Sequence, residues 1–218
     1  MSENTASVIY APDVFEVDSI EQAKRIILTA EDSTTEDRWR VETPYLADEI
    51  DAFLQPDAKS LIVDYGCGIG RMSKELIARH DCTVLGVDIS QSMRQLAPGY
   101  VDGPRFAVSP RPAFKAMADR GMRADGAIAI WSLQHCAKPR DDIALINYAL
   151  KPGACLFVCN THHTAVPTNV GWADVSGDVR RLLSETFEEI DHAPMAAEHT
   201  TDFIAKIAYL GKYRKRAG

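Results

Sequence analysis

The stretch Val63-Asp64-Tyr65-Gly66-Cys67-Gly68-Ile69-Gly70-Arg71 decides how the rest of the chain is read. An apolar run, Leu61-Ile62-Val63, meets an acid and then three glycines at alternate positions, after which residues 71–80 return to helix-compatible sequence. Glycine tolerates positive φ and lets main-chain amides come close to a ligand. A strand that stops at glycines and restarts as a helix therefore builds a binding edge. Eighteen residues past Gly70, Val84-Leu85-Gly86-Val87-Asp88 closes a second apolar run with a carboxylate. In an α/β unit, an acid at that place can accept both ribose hydroxyls of an adenosine.

Two ligand classes share this geometry. The dinucleotide pattern G-x-G-x-x-G fails in both registers: counted from Gly66 its sixth position is Arg71, and from Gly68 it is Ser73. The pattern present is acid-x-G-x-G-x-G, led by Asp64. A nucleoside with an amino-acid tail needs no pyrophosphate cradle and fits it.

Working outward, short and almost wholly apolar strands are predicted at 83–87, 105–108, 127–131 and 156–159, with helices at 71–80, 91–97, 112–120 and 140–150. In the last helix Ile143, Ile146, Asn147 and Leu150 keep i, i+3, i+4, i+7 spacing. Such alternation predicts a parallel sheet covered on both faces. One more helix is expected over Val179–Thr186, then strands near 189–194 and 203–210 that should pair antiparallel, because no helix is read between them. The fold expected is a doubly wound, Rossmann-like α/β sheet, mostly parallel with an antiparallel C-terminal strand.

Residues 1–57 read as an N-terminal helical appendage and 58–218 as the core of a single domain. Ser19-x-x-Gln22 looks like a capping box ahead of Ile20, Ala23, Ile27 and Leu28. Thr43 before Pro44 reads as an N-cap followed by N1, opening a second helix whose stripe is Leu46, Ile50, Phe53 and Leu54. The polar residues 31–40 between them read as a loop or short turn.

Composition narrows the function. With 218 residues, 46% hydrophobic and 25% charged, wholesale disorder is excluded. No apolar run reaches the roughly 18 residues of a spanning helix, and the first thirty residues hold acids and no signal-like apolar region. The five cysteines form no C-x-x-C pair, which suits reduced thiols in a cytoplasmic protein. Net charge is −7, and residues 1–60 alone hold 14 acids against 5 bases. The one dense basic run, Lys212-Tyr213-Arg214-Lys215-Arg216, reads as a solvated tail. Neither nucleic acid nor membrane is an expected partner.

The glycine turn resembles the first motif of class I S-adenosylmethionine-dependent methyltransferases, and later segments match in order. Val87-Asp88-Ile89-Ser90-x-x-Met93 is similar to the second motif, and Asp125-Gly126-Ala127-Ile128 through Trp131-Ser132-Leu133-Gln134-His135 to the fourth-strand motif. Leu150-Lys151-Pro152-Gly153-Ala154 is similar to the turn before strand five. Phe106-Ala107-Val108-Ser109-Pro110 departs from the third motif, lacking the acid that often meets the adenine amino group. The resemblance covers roughly residues 58–160.

The resemblance implies S-adenosylmethionine as cofactor, S-adenosylhomocysteine as product, and methyl transfer to an oxygen, nitrogen or carbon of a small-molecule acceptor. It implies that the turn Asp64, Gly66, Cys67, Gly68 and Gly70 holds the methionine part and Asp88 the ribose. Ile89 and Met93 would line the adenine pocket, with Ser109 and Trp131 as further cofactor contacts. His135, past the fourth strand, is the candidate catalytic residue, because an imidazole of pKa about 6.5 suits proton removal near neutral pH. Cys67 reads as a small filler, not a nucleophile. His162-His163 with Asp174 does not make a metal site, since adjacent side chains in an extended segment point oppositely and no third ligand is suitably spaced. The appendage carrying Trp39, Arg40 and Tyr45 would act as a lid. Open alternatives are a cofactor-binding regulatory subunit without transferase activity, a methyltransferase acting on a protein, and a nicotinamide oxidoreductase.

Overall fold

Strand alternation sorts the core into two layers. In the computed structural model, which describes residues 7–174 and 178–217, β1 (Leu61–Tyr65), β2 (Thr83–Val87), β3 (Phe106–Ser109), β4 (Ala124–Ile130) and β5 (Leu150–Thr161) run parallel in the order β3-β2-β1-β4-β5. Ile62, Ile128 and Phe157 belong to one buried cluster; their neighbours Val63, Ala127, Ala129, Leu156 and Val158 belong to the other. Period-two side-chain direction makes both faces of every central strand apolar. The chain steps from β1 out to β2 and β3, then returns to β4 on the far side of β1. That reversal opens a crevice at the carboxyl ends of β1 and β4.

Helices α2 (Thr35–Leu54) and α3 (Arg71–His80) cover the face carrying Ile62 and Ile128. The helices α5 (Arg111–Asp119), α6 (Pro139–Ala149) and α7 (Val179–Thr186) cover the opposite one. In the antiparallel part, β9 (Ala208–Arg214) lies between β5 and β8 (Glu188–Pro194), completing seven strands. A second, two-stranded sheet follows β5: β6 (Ala165–Thr168) and β7 (Gly171–Asp174). Its strands are four residues each, too short to announce themselves as a pattern. None of the helices of the described residues is long and apolar enough to cross a membrane.

Several expectations are corrected. The second helix does not start at Thr43. It starts after Thr34, whose hydroxyl oxygen accepts the Asp37 amide at 3.0 Å, so Pro44 lies inside the helix and most of 31–40 is helical, not loop. An interior proline costs about 3 kcal/mol. Leu46, Ala47 and Ile50, all fully buried, outweigh it at roughly 1.5–3 kcal/mol for each large side chain. This burial also makes α2 part of the helical layer on the sheet, leaving α1 (Ile20–Ile27) and the segment before it as the covering part. Residues 203–207 are not strand: α8 (Asp202–Ile207) forms there, capped by the Thr201 hydroxyl at 3.2 Å from the Ile204 amide, and β9 begins at Ala208. A short helix therefore does separate β8 from β9, which still pair antiparallel.

The basic run is not a solvated tail. Tyr213 is fully buried, and Lys212 pairs with Glu49 at 3.0 Å. Lys215 donates to the carbonyls of Asn147 and Leu150 at the end of α6, and Arg216 to those of Ser184 and Phe187 at the end of α7. Cations there satisfy helix C-terminal carbonyls and oppose the negative end of the dipole. The capping box at Ser19 differs in detail. Ser19 accepts the Gln22 amide at 3.2 Å, while the Gln22 side chain reaches the Asp18 amide.

Candidate active site

The glycine turn and the end of β2 are locked together by main-chain donors. Gly66 and Cys67 both donate to the Val87 carbonyl, at 2.7 and 3.1 Å. Gly68 donates to one Asp88 carboxylate oxygen at 2.7 Å, and Ser90 donates to the other at 2.9 Å. Burial raises the Asp88 pKa. Arg94 donates to the carbonyls of Asp88, Ile89 and Ser90, which holds the loop from below. The helix α4 (Gln91–Val101) that follows is capped by the Ser90 hydroxyl, which accepts the Met93 amide at 3.1 Å, and by the distant Glu16, which accepts the amides of Gln91 and Ser92 at 2.8 Å each.

Gly66 has φ +80°, and a Cβ there would sit 2.2 Å from Cβ of Ser132, so the turn after β1 packs directly on the loop after β4. The Ser132 hydroxyl donates to the Tyr65 carbonyl at 2.8 Å, closing that contact. Trp131 has φ +55°, a strained conformation for a bulky side chain. Its amide donates to the Cys159 carbonyl at 2.8 Å, and its indole Nε1 is buried without a hydrogen-bond partner among the described residues. Arg38 lies 6.0 Å from the indole centroid and is paired with the buried Glu42 at 2.6 Å.

A single cavity of about 870 Å³ runs along this edge. Of the residues singled out from sequence, Gly66, Gly68, Asp88, Ile89, Met93, Trp131 and His135 line it; Asp64, Cys67, Gly70 and Ser109 do not. Asp64 is buried beneath the turn, accepting the Ser73 hydroxyl at 2.7 Å, and burial pushes its pKa up to about 6. Cys67 points its sulfur inward, 2.7 Å from where a Cβ of Gly86 would stand, and burial pushes its thiol pKa well up. That is a filler's position. Gly70, at φ +86°, precedes the first turn of α3, while Ser109 is buried at the end of β3 with its hydroxyl unpartnered.

His135 is held by the hairpin. Its Nδ1 lies 2.8 Å from the Ala165 carbonyl. A carbonyl only accepts, so Nδ1 carries the proton and Nε2 keeps its lone pair. Burial lowers the imidazole pKa, which favours this neutral form. Phe15 and Trp172 flank the ring, at centroid distances of 6.1 and 5.1 Å.

Several wall residues escape sequence reading. Tyr10 and Phe15 come from the N-terminal strap, and Trp172 from the hairpin. Tyr65, Arg111 and Asp142 form a cluster in which the phenol and the guanidinium each reach one carboxylate oxygen at 2.6 Å. The Arg38–Glu42 pair has an i, i+4 signature, but it is visible only once the helix is started at Thr34. Among the described residues no group of three His, Cys, Asp or Glu could hold a metal, and His162 stacks instead on Tyr209 at 5.3 Å.

Comparisons with known proteins agree with this architecture. The family model described as "Methyltransferase domain" matches residues 38–195. An O-methyltransferase of Aspergillus nomiae is 29% identical over 133 residues, 60% of this chain and 59% of that protein. N-demethylindolmycin N-methyltransferase of Streptomyces griseus is 30% identical over 110 residues, 48% of this chain and 46% of that protein. The chain thus spans about half the length of the curated relatives it matches. Among solved structures, geranyl diphosphate C-methyltransferase of Streptomyces coelicolor, in complex with Mg2+, geranyl diphosphate and S-adenosylhomocysteine, superimposes with TM-score 0.56 at 13% identity, covering 79% of this chain and 78% of that one. The family match takes in the glycine turn, Asp88, Trp131 and His135, and with it the chain belongs to the methyltransferase-domain family.

Proposed function

We propose that this chain transfers a methyl group from S-adenosylmethionine to an oxygen, nitrogen or carbon of a small-molecule acceptor. One observation carries the reading: a single cavity joins the Gly66–Gly68 turn and Asp88 to a neutral His135 with a free Nε2. The residues fit the donor on two counts. Gly66 and Gly68 present main chain without side chain to the cavity, and Trp131 holds a buried indole N–H that lacks an acceptor. The bound donor would supply a methyl group made electrophilic by its sulfonium.

In this reading Asp88, pinned by two amides, accepts the ribose hydroxyls with its remaining lone pairs. Ile89 and Met93 line the adenine side. Asp64, Cys67, Gly70 and Ser109 shape the turn and strand ends from behind the wall. The protein's main contribution is to hold donor and acceptor in line, which is worth many powers of ten for a two-reactant step. His135 Nε2 takes the proton that the acceptor atom loses as it bonds to the methyl carbon. The names of the curated relatives favour oxygen or nitrogen as that atom. The acidic first sixty residues argue against a nucleic-acid acceptor, and the free cysteines suit a reducing, cytoplasmic setting.

The test has two stages. Calorimetric titration should find binding of S-adenosylmethionine and S-adenosylhomocysteine in preference to NAD; binding of NAD alone removes the proposal. A cell extract supplied with the protein and isotope-labelled donor should then yield a metabolite carrying the labelled methyl. Donor binding with no labelled product, small or protein-bound, would favour a binding subunit without transferase activity.

A further inference from the structure

The far end of the cavity has a chemistry of its own. The strap that begins the described chain does not run free: Ala11 donates to the Pro167 carbonyl at 3.0 Å, Asn169 to that of Ile9 at 3.0 Å, and the Ile9 amide reaches the Asn169 side chain at 2.9 Å. Strap and hairpin thus form one unit beside the loop after β4. Three rings meet in it. Trp172 stands 5.1 Å from His135 and 6.2 Å from Phe15, all tilted or edge-on, so that ring edges and faces stand in the wall beside the aliphatic Val14 and Ala165. Trp172 is 55% exposed although it lines the cavity, which leaves much of its ring open to a ligand.

The charges of the wall do not select the charge of the acceptor: Arg38 is paired with Glu42 and Arg111 with Asp142, while Arg25 and Lys138 line the cavity with no ion pair among the described residues.

We infer that the acceptor is a planar aromatic molecule that stacks on Trp172, with its nucleophilic atom turned to His135. The inference rests on the methyltransferase reading and names the acceptor class for that site. Stacked or edge-on ring pairs add stabilisation beyond the area they bury, so a flat aromatic should be preferred over a saturated molecule of the same size.

The test uses the full chain saturated with S-adenosylhomocysteine and two probes: 2-naphthol and its saturated counterpart 2-decalol. Saturation is first verified by calorimetry; failure there counts against the methyltransferase reading, whereas the probe results bear on the acceptor class alone. The wild-type protein should bind 2-naphthol about tenfold more tightly than 2-decalol. Trp172→Ala should bring the naphthol-to-decalol ratio close to one with unchanged affinity for S-adenosylhomocysteine, and Trp172→Phe should retain much of the preference. Equal binding of naphthol and decalol by the wild type would overturn the inference. So would a preference that survives Trp172→Ala.

Discussion

The Gly68 amide donates to the Asp88 carboxylate across 2.7 Å, so the glycine turn after β1 and the acid after β2 are one hydrogen-bonded unit, not two neighbouring motifs. The acid therefore has two tasks, shaping the turn and facing the cavity. Both should fail together when it is removed.

Asp88→Ala is expected to weaken binding of S-adenosylmethionine by roughly 10- to 150-fold, the worth of charge-assisted hydrogen bonds of about 1.5–3 kcal/mol. Because Gly68 and Ser90 also lose their acceptor, the melting temperature should fall by a few degrees as well. Calorimetry and thermal unfolding on the one variant check both; an unchanged dissociation constant removes Asp88 from the ribose.

His135→Ala should lower turnover by roughly 10²–10⁴-fold with little change in donor affinity. Burial lowers the imidazole pKa, so the wild-type rate should hold below pH 6.5 and fall only as the neutral ring finally protonates. Stability follows the same sign: a buried neutral histidine contributes above its unfolded pKa, and that contribution is lost as pH falls through the folded one. A wild-type rate in a folded variant would end the general-base role.

Asp64 predicts the opposite sign. Its folded pKa of about 6 lies above the ordinary carboxylate value, so ionising it in the native state costs stability. The cost grows as pH rises from about 4 to about 6 and is then constant. Asp64→Asn should remove it, raising the melting temperature by roughly 3–6 °C at pH 7 and by much less near pH 4. Melting curves across that range are decisive; a gain independent of pH would place the cause elsewhere.

Gly66→Ala should destabilise by about 2–4 kcal/mol, combining overpacking against Ser132 with a positive φ. Gly99, inside α4 with open space around it, provides the contrast: Gly99→Ala should stabilise by about 0.5–1 kcal/mol. Urea unfolding of the two variants measures both effects.

Ile27 of α1 covers the turn, its Cδ1 2.7 Å from where a Cβ of Gly68 would be. If this helix closes over the donor, amides within residues 10–34 should gain hydrogen-exchange protection when S-adenosylhomocysteine binds. Amides of α2, buried on the sheet, should change little. Equal exchange with and without ligand would make α1 a static arm.

The alternation of strands and helices from residue 61 to 160 was legible because it depends on local periodicity. A strand buried on both faces must be apolar throughout, and a crossover helix must repeat its apolar residues every three or four. The turn was legible too, since Gly66, Gly68 and Gly70 all adopt the positive φ that their residue type permits. Pro44 misled because a proline in a helix and a proline at its first turn look alike locally; the difference is the burial of Leu46 and Ile50, which is not local. The stretch 203–207 misled for a related reason. Six residues decide between helix and strand by a cap at Thr201 and by what Ile204 packs on, not by pattern.

Sequence alone, then, determined the strand–helix alternation, through local periodicity, and the glycine edge with the acid that answers it, which lie within the residues from Asp64 to Asp88. Only the tertiary structure decided what faces the cavity. It turned Asp64, Cys67 and Ser109 inward as supports, and it brought Phe15, His135 and Trp172 together from three distant segments. Long-range packing sets those positions, and no periodicity along the chain records which side chains will meet across a hairpin and a strap.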